Sequence, residues 1–149
     1  MVNDLISPKG TVHFVLTDAN GNVTERKETN LVVTTGLGYI ASRMKDTTAT
    51  AMTHMAVGTG TANAAAGDTT LGTESARVAL TSQTVTGAYI EYVATFAAGT
   101  PASATAITEA AIFNAASSGT MLCRTKFDVI NKGTADTLTI TWRITLAAS

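Results

Sequence analysis

Thr137-Leu138-Thr139-Ile140-Thr141-Trp142-Arg143-Ile144-Thr145-Leu146 alternates without a fault over ten residues. Leu138, Ile140, Trp142, Ile144 and Leu146 fall on one side; Thr137, Thr139, Thr141, Arg143 and Thr145 fall on the other. A period of two predicts a strand with one buried face. Upstream, Met121, Cys123, Phe127 and Val129 form an apolar face opposite Leu122, Arg124, Lys126 and Asp128. Near the start, Val12, Phe14 and Leu16 alternate with Thr11, His13 and Thr17. The run Asp18-Ala19-Asn20-Gly21-Asn22 follows, and Asn-Gly is a strong hairpin signal. The return strand, Val23 to Glu28, carries four charges and is expected at an exposed edge. Further strands are expected at 54–57, 77–85, 89–97 and 107–114. One helix is predicted over Leu37 to Lys45, where Leu37, Ile40, Ala41 and Met44 make a single apolar stripe. Seven or eight strands with one short helix predict a mainly β fold, an antiparallel, jelly-roll-like β-sandwich over residues 10–149. Residues 1–9 read as an extended N-terminal arm, since Pro8 biases Ser7 toward extended geometry.

Composition narrows the function classes. The 149 residues suit one domain with a modest core. Only 14% are charged and the net charge is −1, whereas a nucleic-acid binder needs a basic face to meet phosphates. The 29 threonines and 25 alanines favour a small-residue surface that meets other protein. Cys123 is the sole cysteine, so neither an internal disulfide nor a Cys-based zinc site is expected. No apolar run is long enough for a membrane-spanning helix, and the opening MVNDLISPKG lacks the pattern of a secretory signal. Synthesis in a reducing cytoplasm is the expectation.

The candidate sites are each weighed against a structural account. Asp18, Asn20 and Asn22 share the rhythm of a calcium loop, but Val23 and Thr29 stand where that loop needs Gly and Glu. Gly58-Thr59-Gly60 lacks the third glycine of a dinucleotide cradle, since Asn63 occupies its place. His13 and His54 have no ligand or base at a useful spacing, and Cys123 lies on an apolar strand face. Glu74, Arg77, Glu109 and Arg124 stand out because small and apolar residues surround each. Two carboxylates could serve a glycosidase. The stronger reading is structural: Glu74 or Glu109 paired with Arg77 or Arg124, fixing loop against sheet. No catalytic residue, metal or cofactor is expected.

Several segments together resemble structural proteins of tailed bacteriophages. They are Ala56-Val57-Gly58-Thr59-Gly60-Thr61, Gly67-Asp68-Thr69-Thr70-Leu71-Gly72-Thr73-Glu74 with Arg77, and Thr95-Phe96. Then come Thr108-Glu109-Ala110-Ala111-Ile112-Phe113-Asn114, Gly119-Thr120-Met121-Leu122-Cys123-Arg124 and Asp136-Thr137-Leu138-Thr139-Ile140-Thr141-Trp142. Ala111 stands where the family commonly has Gly. The resemblance implies a non-enzymatic virion part: a capsid decoration (cement) protein, or a tail, baseplate or fibre-associated protein.

The absence of heptads and fibrous repeats favours the capsid. The expected partner is the major capsid protein, bound by a homo-oligomer across subunit junctions, with neither nucleic acid nor membrane involved. The expected contact residues are Val2, Leu5 and Ile6 in the arm and Thr59, Thr61 and Thr69 in a long small-residue loop. A carbohydrate-binding module is the remaining alternative.

Overall fold

The computed structural model describes residues 6–45 and 49–148. Its strands are β1 (Ile6–Thr17), β2 (Val23–Val32), β3 (His54–Gly58), β4 (Glu74–Ala79), β5 (Ser82–Thr86), β6 (Tyr89–Phe96), β7 (Thr105–Phe113), β8 (Met121–Lys132) and β9 (Thr137–Ala148). One helix, α1 (Thr34–Lys45), follows β2. The strands run antiparallel in the order β4-β3-β7-β8-β2-β1-β9-β6-β5.

This sheet curls into a sandwich-like fold because two segments turn from one layer to the other. β2 pairs with β1 through Val23–Asn30, then with β8 through Leu31 and Val32 alone. Its charged half therefore has a strand on one side only, and the Arg26 guanidinium donates instead to the carbonyl oxygens of Asp128 and Val129. The second corner is Leu80-Thr81. Leu80 N–H donates to Thr53 on the β3 side (2.8 Å), and Thr81 N–H donates to Val93 of β6 (2.7 Å). The single strand expected over 77–85 is thus two strands, β4 and β5, at opposite ends of the strand order.

The central strand β9 behaves as its alternation demands. Leu138, Ile140, Trp142 and Ile144 are buried in the main core with Phe14, Tyr92, Phe96, Val57, Ile112 and Phe127. Leu146 departs from the pattern and is 38% exposed.

Glu109–Phe113 of β7 and the first half of β8 are buried on both faces. A second cluster of Val33, Ala56, Leu71, Ala111, Phe113 and Met121 covers their outer side. That explains why Met121–Thr125 shows no exposed face. Further along, three β8 residues, Phe127, Asp128 and Val129, lie between the β7 pairings Ile107↔Ile130 and Glu109↔Lys126. The extra residues shift the alternation, so Val129 is exposed and Ile130 is buried, correcting the expected apolar face.

Two other expectations need correction. Ile6–Lys9 are no arm: they continue β1 and pair with Thr145–Ala148. Residues 1–5 lie outside the described residues. The helix begins a turn earlier than expected and presents a different face. Gly36 is buried against the Leu122 carbonyl, where a Cβ would collide with backbone. That approach turns Tyr39 and Ile40 to the core and leaves Leu37 and Met44 exposed.

Candidate functional site

Glu109 and Arg124 lie on adjacent strands β7 and β8 and project to the outer side of their layer. Both are buried. Arg124 Nη2 donates to Glu109 Oε2 at 2.8 Å, and its Nη1 donates to Asp68 Oδ2 at 2.7 Å. The same guanidinium reaches the carbonyls of Ala62 (3.0 Å) and Asn63 (3.2 Å). Glu109 Oε1 accepts N–H groups from Gly60 (2.8 Å) and Thr73 (2.8 Å), and Oε2 accepts that of Gly72 (2.9 Å). Thr108 Oγ1 adds a bond to the Gly60 carbonyl.

One ion pair therefore satisfies backbone groups from both ends of the loop between β3 and β4. Buried N–H and C=O groups need such partners, and a loop this long has no ladder to supply them. Gly60 is required here: its Cα lies so close to the Glu109 carboxylate that a Cβ would meet both carboxylate oxygens. The loop in turn reaches the helix, since Ala66 O accepts the N–H of Thr34 at 2.8 Å.

The electrostatics follow from this geometry. Burial would raise the Glu109 carboxyl, but the N–H of Thr73, the Arg124 guanidinium and the N–H groups of Gly72 and Gly60 outweigh it. Its pKa lies below the ordinary carboxylate value. Asp68 is also lowered, first by the Ala65 N–H; burial opposes this and Arg124 reinforces it. Arg124 moves up, because Glu109 and Asp68 overcome the cost of burying its charge.

Groups with depressed folded values add stability above the unfolded carboxyl range, roughly pH 4, and lose it as pH falls through the folded values. The urea midpoint should therefore hold steady from neutral pH to about 5 and drop below about 4. Glu109→Gln should flatten part of that drop. An unchanged acid profile in the variant would show that the pair does not contribute.

Glu74 and Arg77 form a separate pair on β4, with Arg77 Nη2 2.7 Å from Glu74 Oε1. The guanidinium lies 3.8 Å from the Phe113 ring centroid and donates to the carbonyls of Ala115 and Ser118. It clamps the β7–β8 turn onto β4.

Glu74 and Glu109 both face Gly58 across the ladder, but from opposite sides of β3. Glu74 bonds Arg77 and Glu109 bonds Arg124. Both Glu109 oxygens are held by N–H donors, so this carboxylate is committed to the loop and to Arg124.

Of the expected contact residues, Thr61 and Thr69 are exposed on the loop and Thr59 is half-buried. Ile6 is 68% exposed, while Val2 and Leu5 lie outside the described residues. The Asp18 carboxylate accepts the N–H groups of Asn20 and Asn22 and the Asn22 side-chain amide, forming a closed turn. Cys123 is fully buried, which pushes its thiol well above the ordinary value. Among the described residues, no group of three or more His, Cys, Asp or Glu could hold a metal ion.

Asp68 of this site, and Lys132 elsewhere in the fold, were not singled out from the sequence. Asp68 sits in a small-residue loop where nothing marks it from a solvated turn residue. Lys132 is 1% exposed, with Nζ donating to the carbonyls of Ala97 (3.1 Å) and Asp136 (2.7 Å). Burial lowers its pKa, and Asp136 opposes the shift. Its burial follows the irregularity that also buries Ile130, which no alternation in the sequence signals.

No protein-family model, curated protein or solved structure matches the chain.

Proposed function

We propose that this protein is a non-enzymatic structural component of a tailed-phage virion, a decoration protein that binds the assembled head across capsid-subunit junctions. The observation that carries the reading is the use made of Glu109, Arg124, Gly60, Gly72 and Asp68. All five lie in the segments that carry the resemblance to phage structural proteins, and each is committed to anchoring one loop. The result is a firmly held surface of small, uncharged residues, including Thr61, Ala62, Thr69 and Thr70. Such a surface fits shallow protein grooves, where long charged side chains would have to be desolvated. Cementing then works by mass action, because a protein that binds only the assembled shell stabilises that shell.

The test is co-sedimentation of the purified protein with assembled shells and, separately, with unassembled capsid subunits. Binding to shells alone is expected, and Thr69→Lys should weaken it at least about tenfold, a loss of about 1.4 kcal/mol. Failure to bind shells, or binding to tails instead, would overturn the assignment to the head.

A further inference from the structure

The end strand β5 offers a second interaction surface. It is hydrogen-bonded to β6 only and lies at the end of the strand order, and all five of its residues are exposed. Free edges are normally blunted by charge, proline or a bulge. The opposite end strand, β4, carries Glu74 and Arg77. β5 reads Ser-Gln-Thr-Val-Thr, without charge or proline, in an uninterrupted register with β6. Beside it runs an apolar groove of about 520 Å³ between α1 and strands β5, β6 and β9. Met44, Val85 and Leu146 on its wall are 80%, 71% and 38% exposed.

We infer that β5 is a self-association edge, pairing antiparallel with β5 of a second copy about a two-fold axis through Thr84. Any strand could add to a free edge, but three features select a second copy. The axis places Thr84 against its own mate and Gln83 against Val85, and paired threonines are favourable cross-strand neighbours. β5 itself brings no charge to the seam. On β6, Glu91 lies opposite Thr84 and is held by Arg143 at 3.0 Å, while Arg43 on the groove wall donates to the Ala49 carbonyl. The third feature is area. A stable dimer needs roughly 600–1,000 Å² from each partner, more than five strand residues supply. A two-fold perpendicular to the sheet keeps both grooves on one face, so the exposed Met44, Val85 and Leu146 of each copy extend the footprint. This surface is distinct from the 59–73 loop, and the inference stands whether or not the shell reading does.

Sedimentation and engineered cysteines test it on the full chain. The native protein should dimerise with increasing concentration. Val85→Lys should shift it to monomer and, because Val85 is mostly exposed, leave unchanged the melting temperature read at concentrations where the native chain is also monomeric. Directly opposed residues have Cα atoms about 5 Å apart, within disulfide range, whereas the two copies of Ser82 would lie about 14 Å apart along the strands. Thr84→Cys should therefore form a linked dimer at least about tenfold faster than Ser82→Cys. Cys123 is buried and should not compete. A native chain that stays monomeric to millimolar concentration would refute the pairing. So would an oligomer unaffected by Val85→Lys, or equal cross-linking of the two cysteine variants.

Discussion

Glu109→Ala is expected to lower unfolding stability by about 3–5 kcal/mol, read from the urea midpoint at neutral pH. The truncation removes the counter-charge from a buried guanidinium and leaves the N–H groups of Gly60, Gly72 and Thr73 without their acceptor. The losses at Arg124 and the Gly60 N–H are the costly ones, because a buried polar group gives up water and gains nothing; the part-buried Gly72 and Thr73 N–H groups add less. Hydrogen exchange gives the more specific readout. Those three amides should lose protection in the variant, while the β9 amides lose only what the global destabilisation requires.

Replacing both charges with apolar residues of similar size, Glu109→Leu with Arg124→Met, separates two effects. It removes the unpaired charge but leaves the loop N–H groups unsatisfied. The double variant should therefore recover part of the loss and not all of it. Complete recovery would mean the carboxylate matters only to Arg124, and the loop would need another anchor.

Trp142→Ala is the second large effect, about 3–5 kcal/mol, as expected for emptying the site of a large core side chain. Trp142 is the largest fully buried residue and sits at the middle of β9, between β1 and β6. Its indole Nε1 has no hydrogen-bond partner among the described residues. Trp142→Phe therefore removes no bond and should cost clearly less than the alanine variant. Circular dichroism in urea measures both. The chain has a single tryptophan, so its emission reports the native core directly and should be blue-shifted until the cooperative transition. A near-zero cost for Trp142→Ala would place the buried face of β9 at an interface instead of in the core.

Much of the fold is legible where one layer covers one face. β9, the Asp18–Asn22 hairpin and the first half of β2 follow from alternation, a turn dipeptide and charge. Legibility fails where a second covering layer or a corner intervenes. Leu80-Thr81 hands the chain from one layer to the other without a proline, a glycine or a break in residue type, so two strands read as one. α1 has an apolar stripe, but close approach of Gly36 to β8 decides which face turns inward, and no helical period encodes that contact. Val129 changes sides because of an irregularity in β8 that exists only in its pairing with β7.

The polar centre shows the same division. Glu109 and Arg124 stand out as charges among small residues, and strand pairing makes them neighbours. Asp68, Gly60 and Gly72 join them through the path of the loop, which has no periodicity to read. The glycines acquire their meaning only once a carboxylate is known to lie against them.

The measurement that bears most directly on the assignment is electron cryomicroscopy of purified virions in which this chain carries a fused density tag. Tag density repeated over the head at junctions between capsid subunits is the predicted result. Density confined to the tail or baseplate, or particles that lack the chain altogether, would contradict it.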